Sequence, residues 1–264
     1  MDSYTNQTVW ITGASSGIGE ALAYEFAKQG ANLIISARRT DELQRVQALC
    51  PSPAKVQILT LDLAAHGTFA AKTAEALAFF GQIDVMVHNA GISQRSLAKD
   101  TSLEVDRTLM DVNYLGTVGL TKALLPHFLQ RKAGQLVAVT SLVGIFGSPL
   151  RSGYAASKHA LHGFFDSLRA ELTNDNIGVT IICPGYIATN VSVNALTGDG
   201  SKQNSMDTKT AAGLQPDEAA RQMVRAINNR KLEVYIGKGE TWAIYLKRYW
   251  PNLFAKVLAR AKVT

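Results

Sequence analysis

Residues 8–29 read TVWITGASSGIGEALAYEFAKQ, and this stretch decides the fold. A short β-rich run, residues 8–11, leads into a loop with glycines at positions 13, 17 and 19. Apolar residues then recur at helical spacing over residues 18–29. Glycines let the backbone turn sharply, and the free N–H groups at a helix N-terminus attract an anion. The pattern predicts a phosphate-binding turn between a strand and a helix, although such a cluster can also be a plain strand-to-helix turn.

The alternation of strand and helix continues along the chain. Short β-rich runs predict strands at residues 8–11, 32–36, 56–60, 83–88, 136–140, 179–183 and 233–236. Amphipathic segments predict helices at residues 18–29, 40–49, 68–80, 103–130, 154–172 and 216–228. Strands that alternate with helices form a parallel sheet covered on both faces. The expected fold class is α/β, a Rossmann-type doubly wound parallel sheet in a single domain.

Composition excludes several classes of protein. The chain has 264 residues, of which 47% are hydrophobic, and this is enough for one large core. Cys50 and Cys183 cannot form a disulfide framework, and neither has metal-ligand spacing, so no metal site is predicted. The polar, acidic start of the chain resembles neither a signal nor a transit peptide. A cytoplasmic location is expected.

The net charge of +6 is concentrated at the C-terminus. From residue 238 onward the basic residues are Lys238, Lys247, Arg248, Lys256, Arg260 and Lys262, against the single acid Glu240. The rest of the chain is nearly neutral, so no nucleic-acid partner is predicted. We therefore divide the chain into a catalytic domain, residues 1–238, and an amphipathic basic extension, residues 239–264. The extension has three possible roles: packing over the active site, an oligomer contact, or peripheral contact with an anionic membrane.

Several further motifs follow the glycine loop in order. They are Asn89-Ala90-Gly91, Asn113, Ser141, Tyr154-x-x-x-Lys158 and Pro184-Gly185. Together with the T-G-x-x-x-G-x-G pattern of residues 12–19, this set resembles the short-chain dehydrogenase/reductase family over roughly residues 7–236. The resemblance implies an oxidoreductase that transfers a hydride between a nicotinamide cofactor and a carbonyl or alcohol carbon. It also implies a homodimer or homotetramer paired through the helices predicted at residues 103–130 and 154–172.

Tyr154 and Lys158 lie four residues apart in a predicted helix, so their side chains share one face. A nearby ammonium and an oxidised nicotinamide should lower the pKa of the phenol. By resemblance, Tyr154 protonates the carbonyl oxygen, Ser141 hydrogen-bonds that oxygen, Lys158 also holds the nicotinamide ribose, and Asn113 supports a water-mediated proton relay to Lys158. Taken singly, Ser141 can be a turn cap and Asn113 a core amide.

The predicted cofactor contacts follow the strand ends, where a doubly wound sheet binds its ligand. Besides Tyr154 and Lys158 they are Gly13, Ser15, Ser16, Gly17, Ile18, Gly19, Arg38, Arg39, Asp62, Leu63, Asn89, Ala90, Gly91, Pro184, Gly185, Ile187 and Thr189. By resemblance, Thr189 hydrogen-bonds the nicotinamide carboxamide. For Asp62 a place beside the adenine and a capping role are both open.

The residues after the second predicted strand favour NADP(H) over NAD(H). This segment reads ISARR from residue 35 to residue 39, without the acid that accepts from a ribose 2′-hydroxyl. Arg38 can pair with a 2′-phosphate, and Arg39 is a second candidate. The alternative is that both arginines simply begin a solvated helix.

The predicted substrate side is apolar, which favours a lipophilic ketone, aldehyde, alcohol, steroid-like or lipid substrate over a charged sugar. The candidate pocket residues are Ile92, Leu142, Val143, Ile145, Phe146, Leu150, Tyr186 and Val191. The polar stretch 194–215 is predicted to be a lid, or else an ordinary surface loop. A catalytically silent NADP-binding sensor or scaffold is the alternative function, but it predicts a damaged Ser/Tyr/Lys set.

Overall fold

A seven-stranded parallel sheet runs through the centre of the computed structural model, which describes residues 4–51 and 54–261. Its strands are β1 (Thr8–Thr12), β2 (Asn32–Ala37), β3 (Val56–Thr60), β4 (Val85–His88), β5 (Gly134–Val139), β6 (Ile177–Pro184) and β7 (Glu233–Ile236). Their spatial order is β3-β2-β1-β4-β5-β6-β7, and every neighbouring pair is parallel. The predicted fold class is confirmed.

Helices cover both faces of the sheet. They are α1 (Gly17–Lys28), α2 (Thr40–Leu49), α3 (Phe69–Phe80), α4 (Leu103–Met110), α5 (Gly116–Arg131), α6 (Ser152–Glu171), α7 (Thr208–Ala211), α8 (Pro216–Asn228), α9 (Trp242–Tyr249) and α10 (Pro251–Ala259). Helices α1, α2 and α8 bury their apolar stripes on one face, and α3, α5 and α6 do so on the other. Because strand side chains alternate, Trp10 faces the second layer while Val9 and Ile11 face the first.

The helix predicted over residues 103–130 is interrupted. Between α4 and α5 the chain forms a π-helical segment, Asp111–Leu115. Where α5 begins, a Cβ on Gly116 would lie only 2.4 Å from the carbonyl oxygen of Leu63, so helix and loop pack backbone to backbone. The wider turn carries Asn113, which is fully buried, into the core beneath the carboxyl ends of the strands.

The extension contains helices α9 and α10. Ile244 of α9 and Phe254 of α10 join the core on the side of α3, α5 and α6. Pro251 occupies the first position of α10, where its missing N–H is tolerated. None of the helices within residues 4–51 and 54–261 is long and apolar enough to cross a membrane.

Phe128 provides a test of this packing. Its ring is fully buried against Gly134, where an added Cβ would lie 2.5 Å from the Phe128 Cδ1 atom. We expect Phe128→Ala to lower the free energy of unfolding by about 3–5 kcal/mol because it leaves a cavity between α5 and β5. Leu129→Ala, at the exposed neighbouring position, should cost less than about 1 kcal/mol. Urea denaturation followed by circular dichroism measures both, and equal losses would contradict this packing.

Candidate active site

A cleft of about 880 Å³ lies along the carboxyl edge of the sheet. It crosses the point between β1 and β4 where the strand order reverses, which is where doubly wound sheets bind their ligands. Of the residues predicted from the sequence to be catalytic or to bind the cofactor, all but Gly19 and Asn113 line this cleft. Those two lie directly behind its wall.

The glycine loop has no room for side chains. Gly13 and Gly17 have φ angles of +67° and +60°, in the left-handed region that favours glycine. A Cβ on Gly13 would lie 2.7 Å from the Cα of Ala90. A Cβ on Gly19 would lie 2.2 Å from the Gly13 carbonyl oxygen, so Gly19 closes the turn from behind. The backbone is thereby exposed to the cleft.

Asn89 connects this loop to the end of β4. Its side-chain amide donates to the carbonyl oxygens of Thr12 (3.0 Å) and Gly13 (3.3 Å). The hydroxyl of Thr12 in turn accepts from the backbone N–H groups of Asn89 (3.1 Å) and Ala90 (3.2 Å). The two strand ends that flank the crevice are therefore joined by side-chain hydrogen bonds.

The arginine pair lies at the end of β2. Arg38 and Arg39 are both exposed and line the cleft, and Arg39 is the residue immediately before α2. At the next strand, Asp62 lines the cleft while its Oδ1 accepts from the backbone N–H of Ala64 at 3.0 Å. The capping role of Asp62 is thus observed, and its place beside an adenine stays a prediction.

Asn113 is satisfied entirely within the protein. Its Oδ1 accepts from the Ile92 N–H at 2.8 Å, and its Nδ2 donates to the Ile92 carbonyl (3.0 Å) and to the Ser157 hydroxyl (2.9 Å). Ser157 Oγ donates to the carbonyl oxygen of Tyr154 at 2.8 Å. Asn113 therefore fixes both the loop after β4 and the first turn of α6, as a core amide does. Its relay role stays a prediction.

Tyr154 and Lys158 point into the cleft from α6. The ammonium of Lys158 lies 5.9 Å from the centre of the Tyr154 ring and donates to the Val139 carbonyl oxygen at 3.0 Å. Ser141 lies opposite, at the end of β5, and its hydroxyl accepts from the Val143 N–H and donates to the Pro184 carbonyl, each at 3.3 Å. Ser141 is a turn cap as well as a cleft residue.

The expected lowering of the Tyr154 pKa is not produced by the protein's own groups. Burial raises the pKa of Tyr154 above its ordinary value, against smaller lowering effects of the hydrogen bond with Ser141 and the charges of Arg95 and Arg151. Burial also lowers the pKa of Lys158, to about 8. The Lys158 ammonium, 5.9 Å from the centre of the Tyr154 ring, is not among the groups that shift the Tyr154 pKa, so the lowering predicted for it is not found. Tyr154 is therefore held as a neutral phenol at pH 7.

A buried cluster of charged side chains lies beside Tyr154 and was not predicted from the sequence. Arg95, after β4, donates from Nε to Asp207 Oδ2 at 2.7 Å, and its Nη2 lies 2.6 Å from the same oxygen. Arg151, three residues before Tyr154, approaches this oxygen at 3.4 Å. All three side chains are at most 6% exposed. No local motif reveals the cluster because its members are far apart in the chain.

The cluster fixes the segment over the substrate side. Asp207 lies in the stretch predicted to be a lid, and its backbone N–H donates to the Ser192 hydroxyl at 3.2 Å. Cleft-lining residues from this stretch are Asn194, Leu196, Gly200, Lys202, Lys209 and Thr210. The segment therefore covers the cleft, and Arg95 and Arg151 attach it close to Tyr154. Whether it moves as a lid stays a prediction.

Two predicted pocket residues lie elsewhere. Ile145 and Leu150 do not line the cleft, whereas the other six predicted apolar residues do. At Leu150 the chain turns with a φ angle of +66°, and its carbonyl oxygen accepts from the Ser96 N–H. Ile145 packs against the core, and its carbonyl accepts from Lys247 of α9. The extension provides apolar lining in their place, from Ala243, Leu246, Phe254, Val257, Leu258 and Ala261.

Glu240, the acid of the extension, has a structural role. Its carboxylate accepts from the backbone N–H groups of Tyr186 (3.0 Å) and Lys238 (3.2 Å). A Cβ on Gly185 would lie 2.2 Å from Glu240 Oε1, so glycine is needed for this approach. The loop after β6 is thus held next to the start of α9.

His162, Cys183 and Glu233 form a second cluster, behind Lys158. Their candidate ligand atoms lie within 4.8 Å of one another. The Thr140 hydroxyl contacts His162 Nε2 (3.1 Å) and donates to Cys183 Sγ (3.3 Å). Burial raises the pKa of Cys183 to about 12, which disfavours the thiolate that a metal prefers. We interpret it as a hydrogen-bonded core group.

Residues 7–199 match the family model described as short chain dehydrogenase. The chain belongs to the short-chain dehydrogenase/reductase family. It is 43% identical over 260 residues to mouse dehydrogenase/reductase SDR family member 7B, covering 96% of this chain and 80% of the relative. It is 44% identical over 255 residues to human family member 7, covering 94% and 75%. Membership places this dehydrogenase/reductase among the oxidoreductases.

Solved structures share the fold of this short-chain dehydrogenase. A Burkholderia phymatum family member in complex with NAD superposes with a TM-score of 0.84, at 22% identity and 96% coverage of each chain. An alcohol dehydrogenase from Thermococcus sibiricus complexed with 5-hydroxy-NADP has a TM-score of 0.74, at 25% identity, with 88% of this chain and 97% of that chain covered. The two neighbours thus carry different nicotinamide nucleotides.

Asp207→Asn tests the ion cluster. Burial alone would raise the pKa of Asp207, but hydrogen bonds and charges from the arginines outweigh it and lower the pKa. The carboxylate therefore stabilises the fold above its ordinary pKa, and that stability is lost as the pH falls through the lowered value. At pH 7 we expect a loss of about 3–5 kcal/mol in the free energy of unfolding, since two buried guanidinium groups lose the negative charge that pairs with them.

The matched control is Asp100→Asn, at an exposed position of the same residue type. It should change the free energy of unfolding by less than about 0.5 kcal/mol. The gap between wild type and Asp207→Asn should close below about pH 4. A gap that stays constant down to pH 2 would contradict a stabilising carboxylate at this position.

Proposed function

We propose that this family member is an NADP-dependent oxidoreductase that transfers a hydride between NADP(H) and a lipophilic carbonyl or alcohol. The observation that carries the proposal is the convergence of Ser141, Tyr154 and Lys158 on the cleft that the glycine loop also lines. An intact catalytic set argues against the alternative of a silent sensor or scaffold, which does not need these three groups together.

The residues of the cleft fit a dinucleotide. The glycine loop turns so tightly that a Cβ on Gly13 would clash with the Ala90 backbone, and the N-terminus of α1 opens onto the cleft. Such a turn offers free backbone N–H groups to a pyrophosphate. At its N-cap, Ser16 makes no side-chain capping bond, which leaves its hydroxyl for a ligand. A bound nicotinamide nucleotide supplies or accepts the hydride.

NADP(H) is favoured by the two exposed arginines at the end of β2. A 2′-phosphate there would meet Arg38 and Arg39, whose charges no ion pair among the described residues neutralises. Arginine pairs bidentately with phosphate, and an acid suited to a free 2′-hydroxyl is absent from residues 35–39.

The site residues divide the acid/base work. During reduction, Tyr154 donates its phenolic proton to the carbonyl oxygen while the carbonyl carbon accepts the hydride, and the product is an alcohol. Ser141 donates a hydrogen bond to the same oxygen. The raised pKa of Tyr154 keeps the donor protonated at neutral pH. Lys158 has a pKa of about 8 and can return a proton to the phenolate. Oxidation of an alcohol follows the reverse order.

The substrate end of the cleft favours an apolar molecule. Its lining combines Leu142, Val143 and Phe146 with Leu246 and Phe254 of the extension. The rings of Phe146 and Phe254 pack edge to face at 5.3 Å. We infer a lipophilic ketone, aldehyde, steroid-like or lipid substrate. We further propose a homodimer or homotetramer paired through α4, α5 and α6. A cytoplasmic location is supported by the free thiols of Cys50 and Cys183, which a reducing compartment maintains.

Arg38→Ala tests the cofactor choice. Because hydrogen bonds to charged groups contribute about 1.5–3 kcal/mol, the Kd for NADPH should rise about 10- to 100-fold. The Kd for NADH should change less than about threefold, since no 2′-phosphate is lost. Arg39→Ala is the matched control, with a smaller effect on NADPH. Fluorescence titration of the wild type and both variants with each nucleotide gives the six constants, and equal effects of Arg38→Ala on the two nucleotides would overturn the assignment.

Tyr154→Phe tests the proton donor. We expect kcat for carbonyl reduction to fall about 10²- to 10⁴-fold because general acid catalysis is lost, with an almost unchanged Kd for NADPH. In the wild type, reduction should slow as the pH rises above about 8, where Lys158 loses the proton that it returns to the Tyr154 phenolate, while alcohol oxidation should accelerate. Stopped-flow absorbance gives both profiles. A variant with wild-type kcat would remove Tyr154 from the mechanism.

A further inference from the structure

The outward side of helices α9 and α10 exposes an unusual set of large side chains. We define the tail face by Trp242, Tyr245, Tyr249, Trp250, Leu253 and Val257. Trp242 is 73% exposed, Tyr249 68% and Trp250 60%. Elsewhere on the described surface, the large hydrophobic side chains that are exposed are leucine, valine and methionine at scattered positions. Contiguous exposed aromatic side chains of this size mark a surface that is covered by a partner.

The charge of the tail face indicates what the partner is. Residues 241–261 contain Lys247, Arg248, Lys256 and Arg260 and no aspartate or glutamate. Arg248, Lys256 and Arg260 are exposed, and Lys256 and Arg260 follow Leu253 at helical spacing. An aromatic, apolar face that carries positive charges and no negative ones complements an anionic lipid surface. Tryptophan and tyrosine side chains favour the headgroup region of such a surface.

The inner side of the same helices keeps the tail face in place. Ile244 and Phe254 are buried in the core, and Lys247 donates to the Ile145 carbonyl oxygen. The exposed aromatic side chains therefore project from a packed platform. Because these helices are already ordered, binding to a surface does not cost the conformational entropy that is lost when a loose segment becomes ordered.

The tail face also borders the opening of the cleft. Val257 lines the cleft and is nevertheless 50% exposed, and Leu258 and Ala261 continue the same wall. With eight and nine residues, α9 and α10 are too short to cross a bilayer, so any contact with one would be along its surface. A bilayer in contact with the tail face would then be next to the substrate end of the cleft.

We propose that the tail face docks on an anionic bilayer surface and that lipophilic substrate enters the cleft from that bilayer. The second part rests on the proposed function, and the first part does not. The basic residues supply attraction to the headgroups, and the aromatic side chains insert at the boundary of the acyl chains.

Tryptophan fluorescence gives a direct test of docking. Trp10 is fully buried and donates to Ser36 Oγ at 2.8 Å, whereas Trp242 and Trp250 are exposed. The full-length protein is mixed with vesicles of phosphatidylcholine, with or without one-third phosphatidylglycerol, carrying bromine on the acyl chains. We expect quenching and a blue shift with anionic vesicles, at least tenfold weaker binding to neutral ones, and weaker binding at high salt.

Two variants separate the components. In flotation, Trp242→Ser/Trp250→Ser should bind anionic vesicles about tenfold more weakly than the wild type, because two aromatic side chains at the headgroup region are lost. Arg248→Glu/Lys256→Glu/Arg260→Glu should weaken vesicle binding by on the order of 100-fold, since each basic residue near an anionic surface contributes about fivefold. Lys28→Glu/Lys99→Glu/Lys231→Glu carries the same charge change at exposed positions elsewhere and should bind like the wild type. Flotation confirms binding, and unchanged thermal melting shows that each variant folds.

The outcomes are distinct. Absence of vesicle binding by the wild type, or equal loss in the control triple variant, overturns the docking proposal. So does a lipid-free dimer that dissociates in Trp242→Ser/Trp250→Ser, because a second copy would then cover the tail face. Entry from the bilayer predicts that this double variant loses kcat/KM at least tenfold for a carbonyl presented in vesicles and keeps it for a water-soluble carbonyl. No turnover of either carbonyl with intact vesicle binding would reject the proposed function alone.

Discussion

The hydrogen bonds between Asn89 and Thr12 hold together the two strand ends on which the site depends. Strand order reverses between β1 and β4, which is where a doubly wound sheet leaves a crevice at its carboxyl edge. The Asn89 side chain donates hydrogen bonds across the base of this crevice to the Thr12 and Gly13 carbonyl oxygens. The Thr12 hydroxyl accepts in turn from the Asn89 backbone N–H at the end of β4. The glycine loop, Asn113 and the first turn of α6 are then built outward from a fixed edge.

Much of this arrangement follows from local sequence. Strand alternation, the glycine spacing and the Tyr154-to-Lys158 interval are short-range patterns, and the predicted sheet and cleft wall are found where those patterns place them. The π-helical turn at Asn113 is different because it depends on the close approach of Gly116 to Leu63, which are 53 positions apart. Periodicity over residues 103–130 carries no trace of that contact.

Long-range burial accounts for the other differences. Asp207 meets Arg95 across 112 positions, so no motif could reveal that the segment over the cleft is attached beside Tyr154. The direction of the Tyr154 pKa shift likewise depends on how far the fold withdraws the phenol from water. The amphipathic pattern of residues 239–264 left packing over the active site, an oligomer contact and a membrane contact open, and only the packing of Phe254 on Phe146 shows which side faces the cleft.

The most direct test of the central claim is the fate of the transferred hydrogen. The purified protein is given NADPH or NADH deuterated at the transferring carbon, together with an aromatic ketone or aldehyde, and the alcohol is analysed by mass spectrometry. The proposed function predicts deuterium on the carbinol carbon, faster from NADPH than from NADH. If neither nucleotide binds at millimolar concentration, the assignment of this chain as a nicotinamide-dependent oxidoreductase is contradicted.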